Sequence, residues 1–479
     1  MQRLKIYNTL SRKIEEIYPL TDNRITLYSC GPTVYDYTHL GHIRTYINND
    51  ILKRTLEYLG YKVIHTMNIT DVGHLTDDAD FGEDKLEKGA EKHNKTVWEV
   101  AEYFTNYFFY TIKQVNIKQP SIICKATEHI NQMIDLIKKL EEKGYTYQTS
   151  QAVYFDIRKF KDYGKLSGQS LEEKLSAVRE EVVLDPEKKH PADFALWFKR
   201  TGRFANHTMH WPSPWGDGFP GWHIECSAMS MHYLGETIDI HTGGEDHIPV
   251  HHENEIAQSE AATGKPFVRF WVHYAFLLVN GEKMSKSKQN FYTIDDILKQ
   301  GFHPLALRLH FLSGHYRQQF NFTFKALKAT ENSYKTLLRK VEELKFINTY
   351  LKPDNPSKKD YNLIKKFEQN IIEVLSNDLN TPKALAKFWN LIDLETLNPR
   401  LKLELILRLD QILGLRLESI KPVNLTEDLK KLIIERESFK GKKQFDKADN
   451  IREMLNDKGF EVKDTKLGTI LLSKTTQPN

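Results

Sequence analysis

Residues 29–44 read SCGPTVYDYTHLGHIR, from Ser29 to Arg44. Immediately upstream, residues 24–30 (RITLYSC) alternate apolar and polar positions and are rich in β-forming residues. Downstream, Ile43, Ile47, Ile51, Leu52, Leu56 and Leu59 recur at helical spacing until Gly60, and residues 61–67 (YKVIHTM) read as strand again. Strand, loop, helix and strand make a βαβ unit, which predicts a parallel sheet whose ligands sit beyond the carboxyl ends of its strands. His39 and His42 flank Gly41 at the loop-to-helix junction. Unpaired N–H groups and the helix dipole attract phosphate there, and an imidazole in that place can donate to a phosphate oxygen. The same position also suits a histidine that only caps the helix or packs at the surface.

A second stretch changes the weight of the first. Residues 281–290 read GEKMSKSKQN, with Lys283, Lys286 and Lys288 interleaved with Ser285 and Ser287 after the apolar run 271–279. HLGH followed far downstream by KMSKS resembles the paired signatures of the class I aminoacyl-tRNA synthetases, which bind ATP between the halves of a Rossmann-type domain. Within that class, CGPTVYD at 30–36, GWHIEC at 221–226 and HHENE at 251–255 are similar to the cysteinyl-tRNA synthetase family, over nearly the whole chain.

The resemblance implies an enzyme that activates L-cysteine with ATP, accompanied by Mg²⁺, and passes the cysteinyl group to the terminal adenosine of tRNA(Cys). It assigns His39, His42, Lys283 and Lys286 to the chemistry, and Gly41, Gly243, Gly244, Asp246 and Lys286 to ATP. Read from the residues, the turn at 242–246 (TGGED) has glycines that let backbone approach a ligand, and Asp246 is placed to bind ribose hydroxyls. Trp222 and His223 either line the cysteine pocket or pack against their own helix.

A metal site is the other implication. On a helix over 251–262, His251 and Glu255 share a face one turn apart, and His252 also lies near Glu255. The resemblance selects Cys30, Cys226, His251 and Glu255 as ligands of one zinc ion per chain. Two thiolates, an imidazole and a carboxylate suit a borderline-soft ion without redox chemistry. Four protein ligands normally close a structural zinc site, whereas a zinc that takes a substrate keeps a position open. In the family this ion binds the substrate thiolate, so either Glu255 is loosely held or the coordination expands. A serine hydroxyl would bind such an ion poorly and stay protonated, which gives specificity without an editing site.

Composition agrees with this class. The chain has 479 residues, more than one core usually organises, and 68 Lys+Arg against 64 Asp+Glu leave a formal charge of +4. A basic face for nucleic acid must therefore be local. Three cysteines, Cys30, Cys124 and Cys226, argue for reduced thiols rather than a disulfide framework. Cys124, in the apolar run SIIC, reads as a buried bystander. The absence of a signal-like or membrane-length apolar run predicts a cytoplasmic protein. A monomer is the expected state.

The expected architecture is α/β: a Rossmann-type parallel-sheet catalytic domain with a connective-peptide insertion, then an α-helical bundle and a small C-terminal α+β module. The first half of the catalytic domain is placed at 1–120, the insertion at 121–210 and the second half at 211–290. A helical stem-contact region at 291–345, a bundle at 346–421 and an anticodon-binding module at 425–479 follow. Residues 72–90, after NITD at 68–71, read as a polar surface loop near the site, with no role assigned. In the last module, FKGKKQF at 439–445 reads as a turn with Lys440, Lys442 and Lys443 between two aromatics, suited to single-stranded bases or simply solvated. Asp449 and Asp464 resemble family positions in the anticodon module, where the family more often has arginine at the place of Lys440.

Two rival readings follow from the same residues. A zinc-dependent ligase joining cysteine to an amino sugar would use the same adenylate chemistry without an anticodon module. A silent RNA-binding or zinc-sensing protein would keep the fold without intact HLGH and KMSKS.

Overall fold

The structure is a computed structural model that describes residues 2–73, 75–77, 81–170, 185–284 and 290–474. It divides into two compact units, Met1–Asp296 with Tyr316–Asn321, and Ile297–His315 with Phe322–Asn479.

The first unit opens with a hairpin, β1 (Lys5–Asn8) and β2 (Lys13–Glu16), followed by β3 (Arg24–Ser29), α1 (Leu40–Tyr58) and β4 (Lys62–Ile69). Then come β5 (Leu75–Asp77), β6 (Phe81–Asp84), α2 (Lys85–His93), α3 (Val97–Gln114), β7 (Ile122–Lys125) and α4 (Ile130–Glu142). Strands β8 (Thr146–Gln148), β9 (Ala152–Phe155), β10 (Phe194–Lys199) and β11 (Gly218–Pro220) form an antiparallel sheet in the order β11-β10-β9-β8. The unit continues through α5 (Trp222–Leu234), β12 (Ile238–Gly244), α6 (His251–Thr263) and β13 (Val268–Tyr274).

Five strands make the central sheet, in the order β13-β12-β3-β4-β7, and every neighbouring pair is parallel. Strands β3 and β12 are adjacent, with Leu27 opposite Ile240 and Ser29 opposite Thr242, although the antiparallel insertion separates them in sequence. That junction is the point at which the strand order reverses, where open α/β sheets leave a crevice for ligands. Strand β3 is buried from Ile25 to Ser29, as a parallel strand covered on both faces should be.

Helix α1 is also buried nearly all round, which accounts for its polar interior positions. Asn49 Oδ1 accepts from Thr242 Oγ1 and from the Tyr274 hydroxyl, each at 2.7 Å, and Arg54 pairs with Asp50 at 2.7 Å. These bonds satisfy groups that would otherwise be costly to bury, and those of Asn49 tie α1 to β12 and β13 in the second half of the sheet.

Residues 72–90 differ from the loop expected of them. Among the described ones, β5 pairs antiparallel with β6, and the nine-residue α2 begins at Lys85. Asp84 caps α2 by accepting from the N–H groups of Leu86 and Glu87, and Asn94 ends it in the left-handed conformation. Gly89 inside a short helix whose charged face is exposed gives a pattern easily read as loop.

The second unit is helical, with Pro304–Leu312, Phe324–Phe346, Lys358–Leu375, Thr381–Asp393 and Pro399–Leu413 followed by the pair Glu427–Gly441 and Phe445–Asp457. A two-stranded antiparallel ribbon, Phe460–Thr465 with Gly468–Ser473, follows. Val423, Leu429, Ile451, Leu455 and Ile470 of this terminal part share one core with Phe346 and Ile347. The expected lysine turn is shorter than the sequence suggested. Phe439 packs against that core and Lys440 lies inside the helix, which leaves residues 442–444 between the two helices. No helix among the described residues is long and apolar enough to cross a membrane.

Candidate active site and metal centre

Cys30 follows directly on β3, and its N–H donates to Thr242 O of β12 at 3.2 Å, so the thiol stands at the switch point. Helix α6 brings His251, His252 and Glu255 to it. The donor atoms of Cys30, His251, His252 and Glu255 lie within 4.8 Å of one another, and all four residues are buried. Cys226, on α5, is buried nearby and acts electrostatically with Cys30 and His251, but it is not one of the four donors that converge. The structure thus brings Cys30, His251 and Glu255 of the four sequence-named residues into one donor group and adds His252, whose Nε2 is 3.3 Å from Cys30 Sγ.

Charge at this centre is set by Glu255, whose carboxylate lies between two imidazoles. His241 Nε2 is 2.8 Å from Oε2 and His251 Nε2 is 2.8 Å from Oε1. The second contact is an ion pair out of line for a hydrogen bond, which leaves Oε1 buried without a hydrogen-bond partner. Burial would push the carboxyl up, but His241 and His251 outweigh it and hold Glu255 at about 2. His251 is pushed down by burial, yet Glu255 and Cys226 raise it to about 10. Burial drives the Cys30 thiol well up, whereas at Cys226 the neighbouring Cys30 and His251 outweigh burial and bring it to about 7. A carboxylate that stays ionised with a spare buried lone pair, beside two soft sulfurs and an imidazole, fits a zinc ion.

Around these groups lies a shell of histidine and aromatic rings. His252 Nδ1 is 2.8 Å from His273 Nε2, and His273 Nδ1 is 2.7 Å from Thr9 Oγ1. The Trp222 ring stacks on His251 with centroids 4.2 Å apart, and His223 Nδ1 is 3.0 Å from His251 Nδ1. Gly243 has to be glycine here, because a Cβ would come within 2.6 Å of the His252 ring and 2.8 Å of His247 Nδ1.

His39 and His42 stand at the head of α1. His39 is the N-cap, and its Nδ1 accepts from the N–H groups of Gly41 at 3.1 Å and His42 at 3.3 Å. With Nδ1 accepting, the ring proton sits on Nε2, which is left as a donor. Burial lowers His39 to about 2 and His42 to about 4, so both rings are neutral near pH 7. A Cβ on Gly41 would sit 2.9 Å from His39 Cε1, so the glycine lets the cap fold back. Both rings line a cavity of about 160 Å³ with Tyr37, Phe104 and Phe291.

The residues that follow the KMSKS match reach the HLGH stretch. Leu40 N–H donates to Tyr292 O at 2.9 Å, and the His39 ring meets Phe291 edge-on at 5.2 Å. Lys283 is exposed in a two-residue strand with Nζ over the Phe276 ring. Lys286 lies outside the described residues. Gly244 begins the turn carrying Asp246, whose charge acts on His42.

Sequence reasoning missed part of this site. His241 shares β12 with Asp239 and Thr242, and His273 shares β13 with Arg269, so no lone polar interruption of an apolar run marked either of them. Asn68, Thr70 and Glu225 form a buried chain in which Gly31 N–H donates to Asn68 Oδ1 at 2.7 Å, Asn68 Nδ2 to Thr70 Oγ1 at 3.0 Å and Thr70 Oγ1 to Glu225 Oε2 at 2.9 Å. That chain fixes the residue after Cys30 to the helix that carries Cys226.

In the second unit, Asp464 gathers three cations. Arg436 donates to both its oxygens at 2.6 and 2.9 Å, Lys440 to Oδ1 at 2.8 Å and Arg452 to Oδ2 at 2.8 Å.

Residues 16–332, which hold the parallel sheet and the site at its switch point, match the family described as "tRNA synthetases class I (C) catalytic domain". Methionyl-tRNA synthetase of Mycobacterium tuberculosis, bound by methionyl-adenylate, shares the fold with a TM-score of 0.58 at 13% identity, over 83% of this chain and 93% of its own. A cysteine–tRNA ligase of Treponema denticola is 45% identical over 484 residues, covering 96% of this chain and 98% of its own. One of Zymomonas mobilis is 41% identical over 501 residues, covering 96% and 95%. The chain belongs to the cysteine–tRNA ligase family, and it is a ligase.

Proposed function

We propose that the protein activates L-cysteine with ATP to cysteinyl-adenylate and then transfers the cysteinyl group to the 3′-terminal adenosine of tRNA(Cys). The observation that carries this reading is that the Cys30–His251–Glu255 centre, the His39–His42 pair and the Gly243–Asp246 turn all lie at the carboxyl ends of β3 and β12 or directly after them. Cysteine, ATP and the acceptor end of a tRNA would meet there.

Cys30, Cys226, His251 and Glu255 would hold a zinc ion, with His252 close enough to Cys30 to compete for that place. When bound, zinc supplies a soft Lewis acid that takes a thiolate in preference to a hydroxyl. The chain's own residues do the rest. His241 keeps Glu255 oriented, and Trp222 and His223 hold the His251 ring from two sides.

In the first step the cysteine carboxylate attacks the α-phosphorus of ATP, an O–P bond forms, and pyrophosphate leaves with the electron pair of the broken bond. His39 Nε2–H and the His42 ring, neutral and rigidly stacked, donate to phosphate oxygens as charge builds there. The ammonium of Lys286, on the KMSKS match, adds to this. In the second step a ribose hydroxyl of the terminal adenosine attacks the cysteinyl carbonyl, AMP leaves, and the hydroxyl proton is released. Positioning dominates both steps.

The terminal module reads the anticodon in this scheme, with Asp464, Lys440 and Arg452 as polar groups toward bases. Its presence favours the tRNA ligase over the amino-sugar ligase. Cysteine-dependent exchange of labelled pyrophosphate into ATP, with serine inert, and charging of tRNA(Cys) test the proposal together. Exchange without charging would favour the amino-sugar reading, and neither activity would refute both.

A further inference from the structure

Helix α3 carries tyrosines at positions 103, 107 and 110, on one side of the helix. Tyr37, from the loop before His39, stands at the centre of this group. Its ring meets Phe104 at 5.1 Å, Tyr107 at 4.8 Å and Tyr103 at 6.3 Å, each edge-on, and Tyr107 lies 5.9 Å from Tyr110. Hydroxyls lock the cluster. Tyr37 and Tyr103 share a hydrogen bond at 3.3 Å, and Tyr107 and Tyr110 donate to the two oxygens of Asp295 at 2.9 and 3.3 Å.

The cluster runs from inside to outside. Tyr37 and Phe104 line the cavity that also holds His39 and His42, whereas Tyr103 is 45% exposed and Tyr110 38% exposed. Large aromatic rings left open to solvent, fixed in orientation and continuous with a catalytic cavity, need an occupant that is flat, apolar on its faces and led into that cavity. The flanking charges are largely answered within the protein, since Lys92 stands 3.6 Å from Asp36 and Asp295 accepts from the two tyrosines. Such a face holds planar rings by stacking and offers phosphates little.

We propose that Tyr37, Tyr103 and Tyr110 form a stacking platform for the unpaired 3′ nucleotides of the tRNA, guiding the terminal adenosine into the cavity beside His39 and His42. This rests on the tRNA ligase reading above. Unpaired bases stack on exposed aromatic rings whatever their sequence, and the 3′ end is the part of a tRNA that must reach the adenylate. Tyr103 and Tyr110 are positioning residues for the transfer step.

The test uses the full chain with Tyr103→Ala and Tyr110→Ala, separately and together, beside Tyr103→Phe. Cysteine-dependent pyrophosphate exchange should stay within about twofold of wild type, while kcat/KM for tRNA charging should fall roughly 5- to 50-fold in the double variant, from the usual worth of base stacking on an aromatic ring. Tyr103→Phe should keep most of the charging, since the ring face is retained. Binding of tRNA trimmed of its unpaired 3′ nucleotides completes a cycle: trimming should weaken binding to wild type more than to the double variant, with the salt dependence of binding unchanged. Independent losses in that cycle, wild-type charging by the double variant, or an equal loss of pyrophosphate exchange would each overturn the platform. So would a shift in sedimentation coefficient with charging intact, which would make the face a contact between copies of the chain. Absence of exchange in the wild type would instead refute the tRNA ligase reading itself, and the platform with it.

Discussion

The rings of His39 and His42 lie face to face, with centroids 3.5 Å apart and 21° between their planes. The backbone makes this stack, because His39 folds back as the cap of the helix on which His42 sits. The two residues therefore separate in a mutational test. His42→Ala should slow adenylate formation about 10²-fold, the usual worth of one donor aimed at developing charge, with little change in thermal stability. His39→Ala should do the same and also lower the melting temperature, since an N-cap contributes about 1 kcal/mol. Rapid-quench measurement of adenylate formation beside calorimetry checks both, and unchanged adenylate formation in His42→Ala would remove that residue from the chemistry.

Zinc content decides between Cys226 and His252 as the fourth ligand. Cys226→Ser should leave the purified protein with little zinc and a raised KM for cysteine, with KM for ATP nearly unchanged. His252→Gln should retain the metal. His241→Ala, which frees Glu255 from its orienting partner, should weaken zinc binding about 10- to 100-fold by competition with a chelator. Full zinc occupancy in Cys226→Ser would show that this thiol is not a ligand.

Lys286 is judged by kinetics. Lys286→Ala should lower the rate of adenylate formation about 10²-fold while leaving cysteine affinity within about twofold, because a cation that meets the phosphates only in the transition state acts on kcat. Equal loss in kcat and in cysteine affinity would argue for a structural role.

Anticodon reading is best tested by substitution, since removing residues after 424 would bare Phe346 and Ile347 of the preceding helix. Lys440→Met and Arg452→Met each leave Arg436 paired with Asp464. Charging of tRNA(Cys) should fall at least about tenfold in the double variant, with pyrophosphate exchange unchanged, because binding energy far from the reacting atoms is used to place the acceptor end. Wild-type charging would show that these cations do not contact the anticodon.

A pH test concerns α2. Buried His207 bonds Asp84, the cap of α2, at 2.9 Å, and Glu87 of the same helix accepts from Thr208 N–H and Oγ1. Burial alone would lower His207, but the hydrogen bond and charge of Asp84 raise it above its ordinary value near 6.5. A histidine raised on folding contributes stability that is fully present below pH 6.5 and is lost as pH rises through the folded value. The gap in melting temperature between wild type and His207→Gln should accordingly be wider at pH 6 than at pH 9, and a gap independent of pH would mean that His207 is neutral in its pair.

What the sequence determined by itself was local or periodic. Alternation in 24–30 and the helical spacing in 43–59 specified β3 and α1, and with them a parallel sheet and the place of its ligand crevice, because the period of apolar residues separates strand from helix even where, as here, both elements are buried nearly all round. HLGH, KMSKS and the three cysteine-family blocks carried the family. Tertiary structure alone decided which side chains converge. His241 reaches Glu255 only because β12 and α6 are packed side by side, and Asp464 collects Arg436, Lys440 and Arg452 only after a ribbon and two helices fold together. The edge-on packing of Tyr37 against α3 likewise joins a loop and a helix that no period connects. Spacing along a chain fixes faces of one element, whereas contact between elements depends on strand order and crossing geometry, and these leave no mark on the residues that meet.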